Sequence, residues 1–297
     1  MHKSIKSKLI PYTFVGPAII LLLFFSLIPI LIALFISFTN LNITGLGDWT
    51  SVKFIGLTNF INLFSDSTFI QSVSNTVYYV VIGVPLVVIL SLGAALMINY
   101  GQNRFFKLMR LIFYTPSITN TVAVAVVWTY MYNPNNGLIN ELLSHLGIPG
   151  LQWLNDPATA KISLIILALW KAIGLNMLIF LAALQGIPKS LYEAAELDGA
   201  NRWEQTKHIT LPSLNFSIFF VLVTTLIGWF QFFDEPFVMT QGGPLNSTSS
   251  VALFVYQNGF QNSNFGYAAA ASFVMFIAII VATSIQFRIQ KKQQGES

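Results

Sequence analysis

Six long apolar runs constrain this chain more than any other feature of it. They lie at about 12–38, 74–98, 109–131, 162–184, 213–233 and 267–287. A helix needs roughly 20 apolar residues to cross the hydrocarbon core of a bilayer. The composition agrees, because the chain is 55% hydrophobic and 9% charged with a mean hydropathy of +0.68. A soluble domain carries about a quarter charged residues. So few charges cannot cover a 33.0 kDa globule. The chain reads as an all-α integral membrane protein with six transmembrane helices, and the lipid bilayer is its first partner. Pro17, Pro29 and Pro85 fall inside these runs. Membrane helices tolerate such prolines because neighbouring helices re-satisfy the freed carbonyls.

The basic residues set the orientation. Lys3, Lys6 and Lys8 precede the first run; Arg104, Lys107 and Arg110 sit at the second connection. Lys189, Arg202 and Lys207 occupy the fourth connection, and Arg288, Lys291 and Lys292 follow the last run. Twelve of the fifteen basic residues thus fall on one side, leaving Lys53, Lys161 and, inside the fourth run, Lys171. This places both termini and the segment 185–212 in the cytoplasm. The connections 39–73, 132–160 and 235–266 then lie outside. The first run is too long for a signal peptide, contains Pro29 and lacks a small-x-small cleavage site, so it reads as a retained span. The net charge of +4 is spread along one face and gives no reason to expect a nucleic-acid partner. The absence of cysteine excludes disulfides, thiolate metal sites and cysteine nucleophiles.

The polar segment 185–212 stands out between two apolar runs. Ser190 and Glu193 have the spacing of a capping box, in which the serine oxygen takes a backbone N–H and the glutamate reaches back. Gly199 is a natural helix stop. Asn201, with Glu204 three residues on, predicts a second capped helix, and Pro212 marks the start of the fifth span. The segment reads as helix, glycine turn, helix. The first of these presents Leu191, Tyr192, Ala194 and Ala195, and the small residues let another surface approach closely. In the outer connection 235–266, the Gln241–Thr248 stretch is dense in turn formers. Leu253, Phe254, Tyr256 and Phe260 there have spacings that a short buried helix or a re-entrant element would use.

The pattern Glu193-Ala194-Ala195-x-x-Asp198-Gly199-Ala200, followed by Ile209-Thr210-Leu211-Pro212, resembles the cytoplasmic signature of permease subunits of binding-protein-dependent ABC importers. Further stretches are similar to the carbohydrate-uptake branch: Gly56-Leu57-Thr58-Asn59-Phe60, Asn75-Thr76, Trp170-Lys171, Phe233-Asp234-Glu235, Gly242 to Thr248, and Gly266-Tyr267-Ala268-Ala269-Ala270. The resemblance is to the larger maltose- or lactose-type member of each permease pair, without the additional N-terminal spans and large external insert of the maltose protein. It implies a type I permease fold, with an N-terminal span and outer loop over 1–71 and the permease domain over 72–288. It also implies that Glu193, Ala194, Ala195, Asp198, Gly199, Ile209, Leu211 and Pro212 form the contact with an ATPase subunit. The implied partners are a second permease subunit, a dimeric cytoplasmic ATPase and an extracytoplasmic sugar-binding protein, in a bacterial cytoplasmic membrane.

Two spans carry candidates for the solute pathway. Lys171 is the one basic residue deep within a run, where a charge is costly unless it faces a watery cavity or snorkels to the edge. Thr225, Trp229 and Phe232, spaced by four and three, share a helix face. Such a stripe is either an aromatic wall for sugar rings or a packed helix interface. The resemblance implies a mid-membrane pocket at Lys171, Ala172, Leu175, Thr225, Gly228, Trp229 and Phe232. Asp234 and Glu235 are expected at its outer mouth, serving a gate or the loop fold.

No phosphate-binding Gly-x-x-x-x-Gly-Lys-Ser/Thr loop occurs, so ATP and magnesium are expected on partner subunits and no cofactor in this chain. His2, His145 and His208 fall on different segments and make no metal site. An enzyme reading has no support. The rival function is an ion-gradient-driven carrier or channel, which predicts acidic residues inside the spans; the six runs carry none in their interiors.

Overall fold

The computed structural model describes residues 5–101 and 103–295. His2 and Lys3 lie outside the described residues, as do the side chains of Lys6 and Lys8. Helix α1 (Ile5–Leu22) continues through a π-helical turn into α2 (Ile28–Ser37), then α3 (Ile43–Gly47), α4 (Thr58–Ser65) and α5 (Ser67–Asn99). Next come α6 (Arg104–Ile118), α7 (Thr121–Met131), α8 (Leu138–His145), α9 (Pro157–Gln185) and α10 (Lys189–Leu197). The chain finishes with α11 (Arg202–Gln205), α12 (Leu211–Ser213), α13 (Asn215–Phe230), α14 (Val251–Tyr256) and α15 (Phe265–Gly295).

Among the described residues, four helices are long and apolar enough to cross a membrane on their own: Phe14–Ser37, α5, α9 and Phe265–Lys292. The other two expected spans are bent pairs. The run at 109–131 is not one helix, because α6 and α7 diverge by 101°. Pro116 lies in the last turn of α6, Thr119 is extended (ψ 148°), and the Asn120 side chain caps α7 by accepting from the Ala123 N–H at 3.1 Å. The expected start of the fifth span, near Pro212, coincides with the second bend. A helical stretch Arg202–Ser213 meets α13 at a 64° bend. Before the proline the helix widens into a π-turn, with the Leu211 N–H bonding to the Thr206 carbonyl. Pro212 brings no N–H to the ladder, and the chain turns at Leu214.

The chain divides into two compact units. One holds the residues up to 66 together with 255–274. In it the buried Asn59 side chain donates to the carbonyls of Ser37 (2.9 Å) and Thr39 (2.8 Å), closing the end of α2. The Gly266 N–H bonds to the Leu41 carbonyl at 2.9 Å, and the Tyr267 hydroxyl donates to Asp66 at 2.9 Å. The span Phe14–Ser37 carries apolar side chains all round, and no part of its apolar window is buried. A helix of that kind suits a lipid surrounding.

The second unit holds 67–254 and the residues from 275 on, and its core is built on α5, α9 and α13. Tyr79, Val87, Leu164, Leu167, Leu226, Trp229 and Phe232 form one apolar cluster; Met177, Phe180, Leu184, Leu214 and Val221 form the next. Along one face of α5 runs a polar stripe at Ser72, Asn75, Thr76 and Tyr79, all of them buried. It binds the expected turn region. Asn75 donates to the carbonyls of Asn246 and Ser249, both at 2.9 Å, and Tyr79 donates to the Thr248 carbonyl at 3.0 Å. The Thr76 hydroxyl accepts from the Val251 N–H at 3.0 Å, while Ser72 and Ser249 share a hydroxyl bond of 3.0 Å. Leu245 and Asn246 are left-handed (φ 52° and 57°), a conformation that costs a non-glycine residue about 1–3 kcal/mol. Their carbonyls are the ones that Gln71 and Asn75 hold. The connection at 235–266 is therefore a docked polar plug followed by α14, rather than an open loop.

Asn75→Ala leaves the buried Ser249 carbonyl and the part-buried Asn246 carbonyl without this donor, so it should lower stability by about 1–3 kcal/mol. Thermal unfolding of the detergent-purified protein checks this. Faster protease cutting within 241–250 should accompany the loss.

Candidate functional site: a cavity between two spans and a capped helix pair

A cavity of about 420 Å³ lies between α9 and α13. Ala168, Ala172, Leu175 and Asn176 line it from α9, Thr224, Thr225, Gly228 and Trp229 from α13, and Gln231 to Glu235 from the segment after α13. It gathers six of the seven residues expected for the solute pathway: Ala172, Leu175, Thr225, Gly228, Trp229 and Phe232. Their presence together follows from α9 and α13 packing side by side in the same core.

Lys171 is the exception. Positions 168, 171, 172 and 175 share a face of α9 by helical spacing. Its ammonium nevertheless turns aside, donating to the Thr119 carbonyl at 3.1 Å and to the Thr121 hydroxyl, and it is absent from the cavity wall. The bend between α6 and α7 frees backbone groups inside an apolar body, and the lysine satisfies them. The same corner is pinned again from Ser117. Its hydroxyl donates to the Lys171 carbonyl at 2.5 Å and accepts from the Leu175 N–H at 3.1 Å. It thus bridges the pair of groups that a regular helical ladder would join directly.

The aromatic stripe turns out to be mostly packing. Trp229 lies against Gly83 of α5, where a Cβ would have no room. It stacks on Phe232 with ring centroids 5.2 Å apart, and Phe232 meets Tyr79 edge-on at 4.8 Å. Trp229 and Phe232 are each 6% exposed, so their faces are largely spent on neighbours. Phe232 also lies beyond the end of α13 and not on its helix face. The open part of the wall is Leu175, Thr224, Gly228, Gln231 and Asp234.

Asp234 and Glu235 border this cavity rather than merely its mouth. Asp234 is exposed and Glu235 is buried. Burial pushes the Glu235 carboxyl up to about 7, its own backbone N–H and Lys171 pull it back, and Asp234 adds to the rise. Asn176, Thr224 and Gln231 were not singled out from the sequence. Asn176 sits one turn beyond Ala172, Thr224 is next to Thr225, and Gln231 is an amide within an aromatic run. Those neighbours were the available signals.

The segment 185–212 forms the expected helix pair, with one correction. Ser190 does not cap α10: the helix starts at Lys189 with Pro188 at the cap position, so the serine already lies inside it. Proline's fixed φ starts the helix without a side-chain cap. The second capping box is present, with the Asn201 side chain accepting from Trp203 and Glu204 N–H groups at 3.0 Å and the Glu204 carboxylate accepting from the Asn201 N–H at 2.7 Å. Gly199 adopts φ +80°, and the Ala200 N–H closes on the Ala195 carbonyl at 2.9 Å. The Tyr192 and Thr210 hydroxyls bond at 2.9 Å, tying α10 to the second helix. The Arg202 guanidinium lies over the Tyr100 ring at 5.5 Å, tying the pair to the end of α5. Glu193, Ala194, Asp198 and Gly199 are exposed, Ala195, Ile209 and Leu211 half-buried, and Pro212 exposed.

A multi-pass helical protein with a cavity between spans and a rigid helix pair at one end of them has the form of a transport permease. The family described as "Binding-protein-dependent transport system inner membrane component" matches residues 60–295, and this chain belongs to it. It is 36% identical over 288 residues to the lactose transport system permease protein LacF of Rhizobium radiobacter, covering 95% of this chain and 94% of that one. It is 40% identical over 291 residues to the probable ABC transporter permease protein YesP of Bacillus subtilis, covering 95% and 91%. Among solved structures, a bacterial ABC transporter involved in the import of the acidic polysaccharide alginate matches with a TM-score of 0.82 at 26% identity, covering 97% of each chain. The chain is a membrane permease subunit of a binding-protein-dependent importer.

Lys171→Met removes a charged donor from the α6–α7 corner. A hydrogen bond to a charged group contributes about 1.5–3 kcal/mol, so amides at 117–123 should exchange about tenfold faster or more. Hydrogen exchange by mass spectrometry on the purified protein reads this.

Proposed function

We propose that this chain is the membrane-spanning half of an ATP-driven importer for a sugar or sugar-like solute in a bacterial cytoplasmic membrane. It pairs with a second permease subunit. A dimeric ATPase, which binds the ATP and magnesium, docks on α10 and the Gly199 turn from the cytoplasm, and an extracytoplasmic binding protein delivers the solute. The cavity between α9 and α13 is the solute's station in the membrane. Similarity to permease proteins of lactose, arabinooligosaccharide and sn-glycerol-3-phosphate transport systems supports the solute class.

The observation that carries the coupling reading is the helix pair itself. A segment with its own capping box, a left-handed glycine and a cross-helix hydroxyl bond is stiff enough to act as a lever. It leaves Leu191 (47%), Leu197 (90%) and Trp203 (73%) exposed, although it is the most polar stretch between two spans. Apolar groups left exposed on this polar segment support a protein contact there. ATP-driven closure of the ATPase dimer would displace α10, tilt the spans attached to it and open the cavity outward. A ligand biases such an equilibrium only by its differential contacts in the two states, and a rigid lever carries that bias.

Proline cannot adopt φ +80°, so Gly199→Pro should abolish uptake in proteoliposomes holding the whole transporter while the protein still inserts. Normal uptake would sink the coupling role. At Gly228 a Cβ would meet nothing within 4 Å. Gly228→Leu should therefore fold with an unchanged melting temperature yet fill part of the cavity and lower sugar uptake roughly tenfold or more, each tenfold being about 1.4 kcal/mol. Uptake measured beside thermal unfolding separates the two effects.

A further inference from the structure

The cavity has a one-sided charge. Its wall includes two carboxylates, Asp234 and Glu235, and among the described residues none that line it is Lys, Arg or His. Glu235 is 7% exposed, held in the wall at the start of a π-helical turn (Pro236–Thr240). The nearest cation, Lys171, attracts both carboxylates through space but has its ammonium committed to the Thr119 carbonyl and the Thr121 hydroxyl. Neither protonation state of Glu235 offers a positive charge.

From this we infer that the cavity selects an uncharged, hydroxyl-rich solute and rejects anionic ones such as uronates, sulfonated sugars and sugar phosphates. The inference rests on the sugar-permease reading and narrows it. An anion brought beside Asp234 would leave its own hydration shell for a wall whose charge has the same sign, with no free ammonium or guanidinium to replace the lost water. An uncharged sugar meets no such penalty. Its hydroxyls donate to the open Asp234 carboxylate, the stronger class of hydrogen bond because one partner is ionised. Thr224 and Gln231 supply both donors and acceptors for the remaining hydroxyls. Leu175 and Gly228 give the less polar ring face a smooth surface. The contrast with the alginate importer is chemical: that relative's cargo is described as an acidic polysaccharide, and the identity to it is 26%. Similar folds therefore need not share the sign of their cargo.

The test uses the complete transporter, purified with its partner subunits and reconstituted in proteoliposomes. Uptake of neutral mono- to trisaccharides is compared with that of their uronate counterparts of the same linkage, at solute concentrations high enough to bypass the binding protein. Neutral sugars should enter at least tenfold faster. Asp234→Asn, at an exposed position, should narrow that ratio, and the Asp234→Asn/Glu235→Gln pair should bring it within about threefold, by admitting uronates. Equal or faster uronate entry in the unaltered transporter would overturn the charge inference and leave the sugar reading standing. An unchanged ratio in both variants, with normal melting temperatures, would overturn the assignment of selectivity to these carboxylates. Failure of every saccharide to enter, neutral or acidic, with the binding protein supplied as well as without it, would overturn the sugar reading and this inference with it.

Discussion

Every polar group that leaves a helix inside an apolar body has to find its partner within the protein, and the second unit of this chain is organised by that demand. The helices close their own ladders, so the cost falls on the interruptions. Three of them show how this works: the bend between α6 and α7, the bend at Leu214, and the turn region from Gln241 to Ser250. The first and third are answered from distant parts of the chain, the second locally. Lys171 and Ser117 secure the first bend. The π-turn and the buried Thr210 beside Pro212 absorb the second. Ser72, Asn75, Thr76 and Tyr79 bind the third. Asn75 reaches across 171 positions of sequence to do so. An unmade buried hydrogen bond costs more than a made one contributes, so these pairings define the packing rather than decorate it.

The cavity follows from the same constraint. Where α13 stops at Phe230, the chain must turn inside the protein, and it does so with Trp229 and Phe232 stacked over Gly83 and Tyr79. Their packing leaves the shorter residues Gly228, Thr224 and Gln231 to face the gap toward α9. The α6–α7 corner takes up the ammonium of Lys171, so the charge left facing the gap belongs to Asp234 and Glu235. The bracing of the corner and the charge left along the cavity therefore have one origin. A lysine needed to hold a bend is unavailable to hold a ligand.

Much of the architecture was legible because it is local. A period of 3.6 residues, a run of about twenty apolar residues and a cap residue act over one turn or one helix, and such cues carry their physics with them. The positions of α5, α9 and α15, the helix pair from Lys189 to Ser213, the stop at Gly199 and the Asn201–Glu204 box were all readable in that way. Ser190 misled because the capping pattern is satisfied by spacing alone, whereas Pro188 had already begun the helix one residue earlier. The bent spans escaped for a related reason. Hydropathy measures how apolar a run is and not whether it is straight, and the 101° turn at Thr119 depends on Pro116 and on a lysine in another helix.

The sequence by itself determined the membrane environment, the approximate spans and the polar helix pair between the fourth and fifth of them, since composition and short-range pattern govern each. It also brought α9 and α13 forward as the place to look for a solute. Only the tertiary structure decided that Lys171 braces a corner, that the aromatic stripe is chiefly packing, that the turn region from Gln241 to Ser250 is a plug bound to α5, and that Asp234 and Glu235 line the cavity. These depend on which side chains meet across 50 or more residues of chain, as in the bond from Lys171 to Thr119. Contacts of that range arise from the packing of whole helices, and no local pattern encodes their partners.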